Sequence, residues 1–139
     1  MSSTPWVNYA ANQRSSPMGY RSDVTIMMYP KNEKDFAALK LYADETLPDQ
    51  FEVRGGGRGD KYLLLEFGGI KWYEGYEEID VYTRAFSEWE VTFLDEADPH
   101  GEPIFHYEFM RIGEEYEDVH YECSYGSDHA LNMSRETYI

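Results

Sequence analysis

The chain has one cysteine, Cys123, so no intramolecular disulfide can form and nothing in its cysteine usage points to an oxidising compartment. No apolar run approaches the roughly 20 residues needed to span a bilayer. Met1-Ser2-Ser3-Thr4-Pro5-Trp6 lacks the basic-then-apolar layout of a signal peptide, and the expected location is the cytoplasm. Catalytic signatures are also missing. There is no Gly-x-Ser-x-Gly, no phosphate loop ending in Gly-Lys-Ser/Thr and no EF-hand spacing. Basic residues are scarce, with 12 Lys and Arg against 27 Asp and Glu, for a net charge of −15.

Aromatic side chains are plentiful instead. They make up 17% of the chain, with 13 Tyr and 3 Trp among 139 residues, enough for the core of one domain. The charge is unevenly divided. Residues 1–71 hold nine basic and nine acidic side chains, whereas residues 72–139 hold three basic and eighteen acidic. The second half thus carries the entire net charge. Such a field repels nucleic acid and acidic membranes and steers basic surfaces toward itself. The expected partner is a basic protein, with no direct nucleic-acid or membrane contact. The plainer reading is a solvated acidic face that serves solubility alone.

Residues 1–22, rich in Ser, Asn, Gly and Pro, read as a mobile arm. Val24, Ile26 and Met28 alternate in a first strand that Pro30 stops. Asn32 then stands at a helix-capping position, and Phe36, Leu39, Tyr42/Ala43 and Leu47 follow at helical spacing. Arg54-Gly-Gly-Gly-Arg-Gly-Asp60 reads as a flexible hairpin connection. Lys61–Phe67, a nearly continuous apolar run, reads as a strand covered on both faces. Ile79, Tyr82, Phe86 and Trp89 mark a second helix, with Glu77, Glu78 and Asp80 in its first turn where the helix dipole favours acids. Glu90–Leu94 reads as a strand. Residues 103–112 and 117–125 then complete a meander around an acidic turn, with Phe105, Tyr107 and Phe109 assigned to the same inner face as Val119, Tyr121 and Cys123. The fold class is α+β: a mainly antiparallel sheet with two helices on one face, nearest to a ferredoxin-like split βαβ unit. A single domain is expected over 23–125, with a C-terminal tail over 126–139.

Each candidate chemistry has a structural counterpart. Arg54 and Arg58 in the Gly-rich loop are candidate ligands for a phosphate, which would make the chain a nucleotide-binding module or an enzyme; a plain hairpin is the simpler account. His120 and Cys123 lie three apart, and on a strand they face opposite ways, so no metal or other cofactor is assigned. Cys123 lacks any activating context and reads as structural, and no catalytic residue is assigned. Carboxylates spaced along a helix start and an acidic hairpin, by contrast, present negative charge at intervals resembling phosphate rows. The partner-binding candidates are Glu77, Glu78, Asp80, Glu114, Glu115, Glu117, Asp118 and Glu122.

Lys71-Trp72-Tyr73-x-x-Tyr76-x-x-Ile79 and Phe109-x-Arg111-Ile112-Gly113-Glu114-x-x-x-Asp118-Val119, about a third of the chain, resemble a pattern in small acidic proteins of bacteriophages and mobile elements. The resemblance implies a non-enzymatic inhibitor of host defence, of the anti-CRISPR or anti-restriction kind. Such a protein would act in the host cytoplasm on a basic nucleic-acid-binding protein or defence complex. The same motif also has a structural reading, with Trp72, Tyr73, Phe109 and Ile112 as core and Arg111 paired to an acid. A structural or assembly protein is a third reading, and its signature would be an oligomer that buries the acidic face.

Overall fold

A computed structural model describes residues 21–56, 59–73, 75–115 and 117–131. Most of the expected arm, Arg58 and the last eight residues of the expected tail lie outside them. The elements run β1 (Ser22–Pro30), a 3-10 turn (Glu33–Asp35), α1 (Phe36–Thr46), β2 (Glu52–Gly56), β3 (Gly59–Ile70), α2 (Glu77–Ser87), α3 (Trp89–Thr92), β4 (Phe105–Gly113) and β5 (Val119–Cys123). One five-stranded sheet has the order β2-β3-β1-β4-β5, and every neighbouring pair is antiparallel. The fold is α+β. Its first four strands and two main helices follow the β-α-β-β-α-β path of a split βαβ unit, with β1 and β3 central, and β5 is added outside β4.

β1 forms the middle of the sheet, pairing with β3 on one edge and β4 on the other, and its alternation is clean. Val24, Ile26 and Met28 are at most 1% exposed and point toward the helices. α1 buries Leu39 and Ala43 and ends where Leu47 turns extended ahead of Pro48. Asn32 makes no side-chain cap; its carbonyl accepts the Asp35 N–H at 2.9 Å and closes the 3-10 turn instead. The Gly-rich stretch is less of a loop than expected. The strands continue into it until Gly56 pairs with Gly59, and a bulge falls at Gly55, whose φ of +84° suits glycine. β3 buries Leu63 on the helix side and Leu64 on the reverse, while Glu66 is exposed. It is therefore covered on both faces only in part.

α2 lays Ile79, Tyr82 and Phe86 on the sheet. Trp72 packs on Phe109 and Tyr82, and Phe86 stacks on Tyr107 with ring centroids 4.3 Å apart. The next segment departs from the sequence reading. Glu90–Leu94 is not a strand: Trp89–Thr92 forms the short helix α3, which sends Trp89 and Phe93 inward. The Trp89 indole donates to the Phe105 carbonyl at 2.6 Å. Continued spacing of three and four from Phe86 through Trp89 to Phe93 outweighs the β-forming character of Val91, Thr92 and Phe93.

The β4–β5 hairpin is in a different register from the one expected. Phe109 pairs with Glu122, and Met110 with Tyr121. The inward face of β4, with Phe105, Tyr107 and Phe109, therefore lies beside His120 and Glu122 rather than Val119, Tyr121 and Cys123. Contacts agree: the Tyr107 hydroxyl donates to Glu122 at 2.8 Å, and the Phe109 and His120 rings are 5.8 Å apart. The two apolar stripes occupy opposite faces because a shift of one residue exchanges the faces of a strand.

Candidate functional site

Strand pairing brings two groups of the predicted acids to one end of the sheet. Ser22 pairs with both Ile70 and Gly113, so β3 ends where the β4–β5 turn begins. Trp72, just past β3, packs on Phe109, and farther along α2 the Phe86 ring covers Tyr107. α2 thus starts toward the turn end and runs toward Phe105. Glu77 and Glu78 in its first turn, and Glu114, Glu115 and Glu117 in the hairpin turn, are exposed. Arg21 and Lys71 share this end. Exposed acid continues along the helices through Glu88 and Glu90 to Glu96; among the described residues from 72 onward, Arg84 is the one exposed Lys or Arg.

Asp80, Glu114, Asp118 and Glu122 are engaged within the fold. An Asp80 carboxylate oxygen accepts the Gly75 N–H at 3.0 Å and ties down the approach to α2. Glu114 accepts the Arg21 N–H at 2.7 Å. Asp118 takes Arg111 in a two-pronged pair at 2.8 and 3.1 Å, as the structural reading of that motif anticipated. Glu122 accepts the Tyr107 hydroxyl. Ile112, expected in the core, is instead 38% exposed. Arg54 pairs with Glu52 at 3.0 Å. A concavity of about 150 Å³ lined by Arg21, Ser22, Asp23, Gly69, Ile112, Gly113 and Glu114 lies at the other end of β3 from Arg54, and its volume is well below that of common small-molecule sites.

Sequence reasoning missed a buried polar network on the face of the sheet away from the helices. Glu108 is fully buried and accepts four hydrogen bonds: from the Tyr29 and Tyr121 hydroxyls at 2.8 and 3.1 Å, and from the Ala130 and Leu131 N–H groups at 3.1 and 2.9 Å. Tyr29 in turn accepts the Asp128 N–H at 2.6 Å. Residues 127–131, expected as part of a tail, are thereby fastened to the sheet. Beside them His106, 2% exposed, bridges Glu102 and Ser124 at 2.8 Å each.

A glutamate, a histidine and a serine in line have the outline of a nucleophilic triad. Ser124 is, however, 1% exposed, and its hydroxyl already accepts the Tyr107 N–H at 3.1 Å, so the row ties β4 to the segment after β5. The alternation of His106 and Glu108 with Phe105, Tyr107 and Phe109 was the available signal. It marks them as lying on the reverse face but does not reveal that this face is covered.

Comparison with protein-family models, curated proteins and solved structures finds no match. Cys123 meets His129 at 3.7 Å and not His120, and no group of three or more His, Cys, Asp or Glu side chains among the described residues is arranged to hold a metal ion. No helix among them is long and apolar enough to cross a membrane.

Proposed function

We propose that the protein is a stoichiometric, non-enzymatic inhibitor that presents its acidic second half as a nucleic-acid mimic to a basic nucleic-acid-binding protein. The observation that carries this reading is the position of Glu77, Glu78, Glu115 and Glu117, which are exposed at the start of α2 and on the β4–β5 turn at one end of the sheet. Fixed carboxylates on rigid elements raise the local concentration of a cationic partner and orient its approach, and the attraction weakens as salt rises. Asp80, Asp118 and Glu122 serve mainly to hold the elements that display the others. The resemblance to acidic phage proteins makes a host defence complex the partner class in this proposal, of the kind met by anti-CRISPR or anti-restriction inhibitors.

The test is capture from bacterial lysate at two salt concentrations, with bound proteins identified and assayed for nucleic-acid binding. Wild-type protein should retain a nucleic-acid-binding protein at low salt, release it at high salt and inhibit its binding to nucleic acid. The triple reversal Glu77→Lys, Glu78→Lys and Glu117→Lys should weaken capture by about tenfold or more, with an unchanged circular dichroism spectrum. Undiminished capture and inhibition by this variant would overturn the reading.

A further inference from the structure

Exposed apolar side chains interrupt the acidic stretch at the far end of α2. α3 turns Trp89 and Phe93 inward and leaves Val91 82% exposed, with Leu94 just beyond its end 50% exposed. The Tyr125 N–H donates to Glu90 Oε2 at 2.8 Å, which sets the backbone of Tyr125, itself 55% exposed, beside α3. Among the large apolar residues of the described chain, Val91 is the most exposed. Its support is rigid, since the Trp89 indole is bonded to Phe105 and its ring packs against Phe93 and Tyr107.

Carboxylates flank the patch along the chain. Glu88 precedes α3, Glu90 lies within it and Glu96 follows it, all three exposed. A second copy of this chain docking here would set like charges against one another in a molecule of net charge −15. Complementarity favours an occupant that carries Lys or Arg around protruding aliphatic or aromatic side chains.

We propose that Val91, Leu94 and Tyr125 form the apolar anchor for a basic protein surface, with Glu88, Glu90 and Glu96 as its charged rim. This deepens, and rests on, the inhibitor reading by placing the energetic centre of the interface on α3 rather than at the start of α2. Interfaces of this kind concentrate binding in a few buried apolar or aromatic side chains, while rim charges set rate and register.

The probes are a helical peptide of Leu and Lys with leucines on one face, and an oligolysine of equal charge, each titrated into the full chain at fixed salt. The Leu/Lys peptide should bind about tenfold more tightly than oligolysine and shift the amide resonances of Val91, Leu94 and Tyr125. The double variant Val91→Ser and Leu94→Ser should lose this excess and keep its affinity for oligolysine. Equal affinity of the two peptides, or an excess that survives in the double variant, overturns the anchor. So does sedimentation showing a wild-type dimer that the double variant abolishes, since the patch would then serve self-association. Failure of oligolysine to bind counts against the acidic-face reading alone, because the difference between the peptides still decides the anchor.

Discussion

Glu108 is a carboxylate removed from solvent and held by two phenols and two backbone amides. Burial of such a group is unfavourable unless its lone pairs are satisfied, and charge-assisted bonds of this sort are among the stronger ones. Glu108→Gln keeps the shape but turns an amide donor toward groups that already donate. It should destabilise the fold by about 1–3 kcal/mol, read as a lower urea midpoint; an unchanged midpoint would sink this account.

The tyrosines around the core make a second point at this scale. Burial pushes the phenols of Tyr29, Tyr82, Tyr107 and Tyr121 well above their ordinary value of 10.0, with Glu108, Asp49 and Glu122 nearby adding to the shift. The folded state thus holds these protons more tightly than the unfolded chain does. Their contribution to stability is complete below about pH 10 and falls as pH rises through the elevated values. In an alkaline titration their phenolate absorbance should appear together with loss of the far-ultraviolet dichroism. Ionisation of all the tyrosines in a chain that keeps its dichroism would contradict this.

At the scale of elements, the β2–β3 hairpin depends on one glycine. A Cβ at Gly55 would meet the backbone carbonyl of Asp60, at a φ of +84° that side chains rarely adopt. Gly55→Ala should therefore destabilise by about 1–2 kcal/mol from the left-handed backbone alone, with the steric conflict added. Thermal melting of the variant would measure it. α3 depends on its indole: Trp89→Phe leaves the buried Phe105 carbonyl without that donor and should lower stability by about 1–3 kcal/mol, measured by denaturant titration.

Much of this level was legible in the sequence. Val24, Ile26 and Met28 declare β1, and Ile79, Tyr82 and Phe86 declare α2, because each set repeats with the period of its element. α3 was obscured because Val91, Thr92 and Phe93 favour strands locally, while the packing of Trp89 and Phe93 decides the outcome. The register of β5 was hidden for another reason. Two alternating stripes show that each strand has two faces, yet the length of the turn between Gly113 and Val119 sets which stripe meets which. For the candidate site, Glu77 and Glu78 could be read as exposed first-turn acids. Arg111 could be read as paired to an acid, and Asp118 is that acid; that Glu122 accepts Tyr107 depends on the β4–β5 register and could not be read.

For the whole molecule, the charge imbalance is itself a destabilising load. Lys31 relieves part of it by bridging Asp95 and Asp98 at 3.3 and 2.8 Å, and its hydrogen bond is the main reason that the Asp98 carboxyl lies below the ordinary 3.8. Because that folded value is depressed, the contribution is present above the ordinary value and disappears as pH falls through the depressed one. Elsewhere in residues 72–131, exposed acids have few cations to offset them. Added sodium chloride should therefore raise the melting temperature from its low-salt value as it screens the repulsion. A melting temperature that is flat or falls over the same range would show that self-repulsion is not a significant term.

The central position of β1 also dictates an order of events during synthesis. This strand leaves the ribosome before β3 and β4, which pair with its two edges, and the Ile26 partner on one side is Leu65 while that on the other is Phe109. Until translation has passed Gly113, one long apolar edge in the middle of the future sheet has no neighbour. A nascent chain arrested before β4 should be held by chaperones or precipitate, and one released after β5 should be able to close the sheet in a single step.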